Sequence, residues 1–324
     1  MEPWYLYAGF IGFVVAMLFV DLKLFHAEEH EPTNKESGTW VAIWVALAVA
    51  FGVIVYFWKG GTTAGEYFAG YLIEYSLSVD NMFVFIVIFS YFQIPKALQH
   101  QVLFYGILGA MIFRGLFIAA GVALIHNFEW IIYIFGAFLI FTAFRIAKGT
   151  EDVDPEHNPI IKLFRKRFPT TSKLEGQALF IIENGKRVAT PLFVALIFIE
   201  ITDIVFALDS IPAVLAITED SFIVLTSNVF AILGLRALYF LLAGSMDRFH
   251  LLKYGLSIIL GFVGSKMLLE AVDVHVPIWL SLVVIIGVLA GTVVLSLKLP
   301  QKDTDEELPK DADDTIFADK DPTP

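Results

Sequence analysis

The sequence predicts an all-α polytopic membrane protein with about nine transmembrane helices and an inverted repeat of three-helix units. Three observations predict it. The 324 residues are 57% hydrophobic and only 17% charged, with a mean hydropathy of +0.73; soluble domains average about 45–50% apolar and about 25% charged. The apolar residues come in blocks of roughly 20, the length that crosses a hydrocarbon core of about 30 Å. Two halves of the chain also match each other at a nearly constant offset. A β-barrel would instead need short alternating strands.

Nine spans can be read, at about 4–24, 39–58, 67–92, 100–125, 128–148, 190–217, 222–245, 250–270 and 276–298. The first lacks a basic leader and ends in Asp21, Leu22 and Lys23 rather than small residues, so it reads as a span and not a cleaved signal. The turns near 59–66, 126–127, 218–221 and 271–275 share one side with the N-terminus and carry only Lys59. The other side receives Lys23, Lys35, Lys96, Arg248, Lys253, Lys298 and a loop over 149–189 with Lys162, Arg165, Lys166, Arg167, Lys173, Lys186 and Arg187. The basic side is expected to be cytoplasmic. That puts the N-terminus outside, the C-terminus inside and the chain in a bacterial inner membrane.

Within the 149–189 loop, Ile160 to Phe168 interleaves Ile161, Leu163, Phe164 and Phe168 with four basic residues, like a helix lying on an anionic leaflet. The Glu183-Asn184-Gly185-Lys186 stretch suits a small hairpin, since Asn-Gly favours a type I′ turn. After Pro300 nine acids stand against three lysines, a composition that predicts a disordered acidic tail over 300–324. Much of the formal net charge of −11 lies there. There are no cysteines, which excludes disulfides, thiolate metal sites and cysteine nucleophiles.

The internal repeat organises the rest. Ser76–Asn81 matches Val205–Ser210 at an offset of 129, and Gly106-Ile107-Leu108-Gly109 matches Ala231-Ile232-Leu233-Gly234 at 125. Phe128, Tyr133, Phe141 and Arg145 match Phe249, Tyr254, Phe262 and Lys266 at 121. Residues 67–148 and 190–270 are thus two three-helix units. Spans one and two (1–66) and the ninth span (271–299) are peripheral additions. Three spans per unit force the second copy to enter from the opposite face, a plan that places a substrate site near the midplane at the repeat interface.

Five carboxylates, Glu74, Asp80, Glu200, Asp203 and Asp209, fall inside these apolar segments. Such groups cost roughly 2.5–3.5 kcal/mol each on insertion scales and usually mark an ion pathway. In a regular helix Glu200 and Asp209, nine residues apart, point to opposite faces at about 100° per residue. The set converges only if the helices break near Asp80-Asn81 and Asp209-Ser210, or if the two copies share ligands. Pro212 disfavours helix at Ile211, so kinks are expected at both stretches.

The donors are carboxylates, the Asn81 and Asn228 amides, and hydroxyls including Ser76, Ser78, Thr202, Ser210 and Ser227. The histidines fall in loops or at span ends. An oxygen-only set suits Mg²⁺, Ca²⁺ or Mn²⁺ without ranking them. Arg114 and Arg236 are mid-span bases that can pair with some of the acids; Arg145 and Lys266 lie near span ends, where they can snorkel. Structural pairing alone would leave three of the five acids without a partner.

The stretches Gly70–Asn81, Phe206–Ala213 and Leu225–Arg236 resemble the TerC integral membrane family, and within it the bacterial Alx-type members. The resemblance covers the chain from about Tyr5 to the ninth span and leaves out the acidic tail. It implies a manganese exporter, with an older tellurium-resistance label, and no prosthetic group. It assigns Glu74, Asp80, Asn81, Glu200, Asp203, Asp209 and Ser210 to the metal site; Arg114, Asn228 and Arg236 are expected to support it. The expected partners are Mn²⁺, protons and the lipid bilayer, with no nucleic acid. Two alternatives stay open: an exporter of Ca²⁺ or Mg²⁺, and a non-transporting assembly or regulatory factor acting through the loop and tail. An enzyme is not expected, because no nucleophile or cytoplasmic metal triad accompanies the acids.

Overall fold

The computed structural model describes residues 3–25, 33–128, 130–148, 169–171, 173–183, 185–243, 251–270, 272 and 274–299. The expected loop helix over 160–168 and the tail over 300–324 lie outside them. Helices α1 (Trp4–Phe25), α2 (Asn34–Lys59), α3 (Gly61–Tyr91), α4 (Lys96–Asn127) and α5 (Ile131–Ala147) come first. Strands β1 (Phe180–Glu183) and β2 (Lys186–Ala189) follow. The chain then forms α6 (Pro191–Leu215), α7 (Ser221–Leu233), α8 (Leu235–Leu242), α9 (Leu252–Glu270) and α10 (Ile278–Lys298). Helices α7 and α8 make one span, Ser221–Leu242, interrupted only at Gly234. Among the described residues seven spans are long and apolar enough to cross a membrane, and Trp4–Val20 and Ile131–Ala147 are shorter apolar helices. This is a polytopic membrane protein.

Local chemistry sets the helix ends. Thr33 and Glu36 form a capping box at the start of α2: the Glu36 N–H donates to Thr33 Oγ1 at 3.3 Å, and the Thr33 N–H to Glu36 Oε2 at 2.8 Å. This satisfies two amides that a helix start otherwise leaves open. Gly60, at φ +93°, makes the one-residue turn into α3, a conformation that only glycine adopts without strain. Asp220 caps α7 by accepting from the Phe222 and Ile223 N–H groups at 3.0 and 3.3 Å. Lys59 Nζ reaches the other Asp220 oxygen at 2.5 Å, tying the α2–α3 turn to the start of α7. Proline opens α4, α6 and α10, at Pro95, Pro191 and Pro277, where a missing N–H costs nothing.

The outer surface is apolar. Phe57, Ile112, Leu116, Phe141, Phe144 and Trp279 are all more than three-fifths exposed, as suits a hydrocarbon solvent. Trp4, Trp58, Trp130 and Trp279 sit exposed at helix ends, where interfacial aromatic belts lie.

Packing follows the repeat. Helix α3 lies against α6 at the centre; α4 packs on α6 as α7 packs on α3, and α5 packs on α9. Exchanging α3, α4 and α5 for α6, α7–α8 and α9 turns the α4–α6 pair into the α7–α3 pair and leaves the α3–α6 and α5–α9 pairs unchanged. Helix α2 covers α3 and α8, and α10 lies along α3 and α9.

The expected break in the carboxylate helices is corrected. Helix α3 runs unbroken through Asp80-Asn81, and α6 through Asp209-Ser210 and on past Pro212. A helical proline removes one backbone hydrogen bond, a net loss of about 1 kcal/mol. Around it, every residue from Asp209 to Leu215 is buried, and that packing holds the turn in place. The break falls instead at Gly234, in the second copy's middle helix.

Helices α5 and α9 touch backbone to backbone. A Cβ on Gly264 would lie 2.8 Å from the Gly136 carbonyl oxygen, and one on Gly136 would lie 3.1 Å from the Gly264 carbonyl oxygen. Neither carbonyl can move aside without shifting its helix. Gly264→Ala is therefore expected to destabilise the fold by about 1–3 kcal/mol, the usual range for overpacking, read as a lower thermal midpoint and a smaller yield of monodisperse protein.

The strands pair antiparallel, Phe180 with Ala189 through Glu183 with Lys186, with Gly185 in the turn at φ +76°. Strand β2 leads directly into α6. Thr190 Oγ1 donates to the Ala178 and Leu179 carbonyls at 2.8 and 3.1 Å, fixing the hairpin to the start of that helix.

Candidate functional site

The site is built on Arg114, in the middle of α4 and 1% exposed. Its guanidinium grips Asp203 of α6 with two parallel bonds, Nε to Oδ2 at 3.1 Å and Nη2 to Oδ1 at 2.8 Å. Nη1 donates to Glu74 Oε1 of α3 and lies 3.4 Å from Ser210 Oγ. Asn228 Nδ2 of α7 donates to the second Glu74 oxygen at 2.8 Å. Ser78 Oγ adds a contact to Glu74 Oε1 at 3.4 Å. Glu74 is fully buried, and Asp203 nearly so.

Glu74 and Asp203 are repeat mates, because the offset of 129 that relates Asp80 to Asp209 also takes residue 74 to 203. One cation thus collects the equivalent carboxylate from each copy. This is the second route to convergence named from the sequence, with groups shared between the copies instead of helices unwinding.

Asp209 lies elsewhere. Thr142 Oγ1 donates to its Oδ1 at 2.8 Å, and Arg145 Nη2 to its Oδ2 at 3.3 Å. Both partners come from α5. The snorkelling expected of Arg145 is corrected to this extent: the side chain is about one-third exposed but its head pairs inward. The usable signal was a basic residue in the same place in both copies, Arg145 and Lys266. Lys266 is buried and donates to the Ala216 carbonyl at 3.2 Å.

Glu200 faces the other way, as its spacing from Asp209 requires. Its carboxylate rests on Gly109 of α4: a Cβ there would lie 2.0 Å from Oε1 and 2.3 Å from Oε2. Oε2 is buried with no hydrogen-bond partner among the described residues. In the sequence Gly109 is only a mark of the repeat; its role as a seat for Glu200 follows from the α4–α6 crossing.

Asn81, Ser210, Asn228 and Arg236 are all buried, on α3, α6, α7 and α8. The Asp80 backbone is part of α3, and its side chain lies outside the described residues. A cavity of about 20 Å³ adjoins Asp203, walled by Met82, Phe85, Leu103, Ile107, Ile199 and Leu235. That is room for about one water. Among the described residues no three carboxylate or imidazole groups converge on one point. The acids are distributed instead, two on Arg114, one on Arg145 and Thr142, and one on Gly109. A divalent cation using both Glu74 and Asp203 would have to take the space that the guanidinium fills.

The model for integral membrane proteins of the TerC family matches residues 59–304. The chain belongs to the TerC family. Among its relatives, an uncharacterized membrane protein of Myxococcus xanthus is 50% identical over 296 residues, covering 90% of this chain and 92% of the relative. A protein of Escherichia coli K12, provisionally named membrane-bound redox modulator Alx, is 45% identical over 303 residues, 90% of this chain and 94% of its own. An uncharacterized membrane protein of Rickettsia bellii is 40% identical over 283 residues, 86% of this chain and 93% of its own. No solved structure matches this TerC-family chain. The matched region takes in both copies of the repeat and the whole Arg114 cluster.

Proposed function

We propose that this protein is a secondary transporter that exports Mn²⁺ from the cytoplasm by alternating access between the two three-helix repeats. The observation that carries the reading is the shared site: Glu74 and Asp203, one from each copy, converge at the interface where the copies move against each other. Oxygen donors of this kind favour a hard divalent cation, and manganese is our choice among the three candidates on the TerC resemblance. The basic loops favour an N-terminus outside and a C-terminus in the cytoplasm, in what we read as a bacterial inner membrane. Glu74 and Asp203 supply ligands at the shared site, Asp80 and Asp209, helped by Asn81 and Ser210, supply ligands at other points of the transport cycle, and Glu200 binds metal or carries a proton. The chain carries no prosthetic group and works as a transporter, not an enzyme.

Moving a cation outward against an inside-negative potential costs about 2.3 kcal/mol per charge per 100 mV, and the chain has no nucleotide-binding motif. Inward proton flow supplies the energy. The redox role in the name of the Alx proteins would have to be indirect here, since no cysteine thiol in this sequence can carry it.

Cellular manganese under Mn²⁺ load tests the reading, in cells expressing the native protein, Asp80→Asn, Asp209→Asn or no protein. The native protein is expected to lower manganese, and the two near-isosteric variants are not. Four equal manganese contents, with the protein folded in the membrane, would reject export. Adding Ca²⁺ or Mg²⁺ in excess should leave the Mn²⁺ flux standing; suppression by either would name that ion as the cargo.

A further inference from the structure

We propose that the Arg114 guanidinium is the site's resident cation. It holds the cargo's place between Glu74 and Asp203 while the site is empty, leaves when a divalent cation enters, and returns so that the empty carrier can reset. The inference rests on the export reading above and says how that site is regulated.

All four carboxylate oxygens of the pair are engaged. Both Asp203 oxygens accept from Arg114. One Glu74 oxygen accepts from Arg114 and the other from Asn228, at 2.8 Å. Every oxygen of this pair already accepts a hydrogen bond, and the guanidinium fills the space between the two carboxylates that a metal bridging them would need. The two cannot share the site, because a divalent ion beside a guanidinium at contact distance is strongly repelled in a low-dielectric interior. Cargo and Arg114 therefore exclude each other.

The empty carrier poses the complementary problem. Two bare carboxylates, buried at 0% and 4% exposure, would be held in a dry interior without compensation, and buried charges need a partner. Arginine suits the task because it stays charged when buried, and its planar fork matches a carboxylate. Arg114 is 1% exposed and comes from α4, a different helix from either acid. It can leave both carboxylates without disturbing the helices that carry them. Ser210 Oγ, already 3.4 Å from Nη1, offers an acceptor on its way out.

Two consequences separate this role from a fixed structural pair. Competition by Arg114 weakens apparent cargo affinity, so its removal should tighten binding. If the guanidinium fills the site nine-tenths or more of the time, the gain is about 10- to 100-fold. Its removal should also spare exchange, in which the site crosses loaded both ways, and stop net efflux, in which it must return empty.

The test uses the full-length protein, native and as Arg114→Gln and Arg114→Lys, purified for Mn²⁺ titration and thermal melting and reconstituted into liposomes for flux. Arg114→Gln is expected to melt lower without metal and to be raised by Mn²⁺ more than the native protein is. It should bind Mn²⁺ at least about 10-fold more tightly, keep Mn²⁺/Mn²⁺ exchange and lose net efflux. Arg114→Lys should recover part of the net efflux. Unchanged or weaker Mn²⁺ binding by folded Arg114→Gln would overturn the proposal, as would exchange and net efflux falling together. Failure of Mn²⁺ to rescue an unstable Arg114→Gln would also overturn it. If the native protein itself neither binds nor exchanges Mn²⁺, the export reading fails first and this inference falls with it.

Discussion

Glu74→Gln and Asp203→Asn are each expected to fold and to reduce metal efflux to the level of protein-free liposomes, whereas the double variant is expected not to fold. The native cluster holds two carboxylates on one guanidinium. Either single change leaves Arg114 paired one to one with the remaining acid. The loss is one charge-assisted interaction, about 1.5–3 kcal/mol, within a typical stability of about 5–15 kcal/mol. Transport does not survive, because cargo must then displace the guanidinium from a balanced pair with only one carboxylate to offer. Removing both acids strands a fully buried cation, and breaking a buried pair in that way costs about 3–5 kcal/mol. The penalties should be far from additive, as expected for groups in one network. Adding Arg114→Gln to the double variant should restore a folded protein without restoring efflux. Thermal midpoints in detergent and flux in liposomes separate the two effects. A double variant as stable as either single one would show that Arg114 does not depend on these acids.

Gly109→Ala is expected to separate stability from transport in the opposite sense. An added Cβ would lie 2.0–2.3 Å from the Glu200 carboxylate, too close to tolerate. The obstacle is the far end of a flexible side chain, which can swing away, so the helices need not move. Replacing glycine with alanine inside a helix stabilises it by roughly 0.5–1 kcal/mol. The variant should therefore melt at or slightly above the native temperature, unlike Gly264→Ala, where the obstacle is a backbone carbonyl. Glu200, however, leaves its seat. A misplacement of about 1 Å at a functional group can cost on the order of 100-fold in rate, and efflux should fall accordingly. Glu200→Gln should share the transport defect. Normal efflux in Gly109→Ala would remove Glu200 from the mechanism.

How much of this could be read from the amino-acid order varies by residue. Arg114 and Arg236 stood out as the mid-span bases, and Glu74, Asp203 and Asp209 as costly acids within apolar runs. The pairing could not be assigned. A helical period fixes which face a side chain occupies but not what the neighbouring helix brings to that face. Thr142 and Arg145 as partners of Asp209, and Gly109 as the seat of Glu200, come from α5 and α4. Their sequence separations from those acids carry no local pattern. The expected unwinding failed for a related reason. One proline weighs locally against a helix, and the burial of Ile211 through Leu215 outweighs it.

The sequence by itself determined the spans, because a segment in hydrocarbon must satisfy its own backbone hydrogen bonds and so declares itself by about 20 apolar residues in a row. It also determined the duplication, since Glu74 and Asp203 occupy equivalent places in the two copies. The tertiary structure alone decided that these mates meet on Arg114 while Glu200 and Asp209 go to separate partners. The physical reason is that Glu74, Asp203 and Asp209 find their basic partners, and Glu200 its glycine seat, across helix crossings, and the position of a crossing is set by the packing of whole helices against one another.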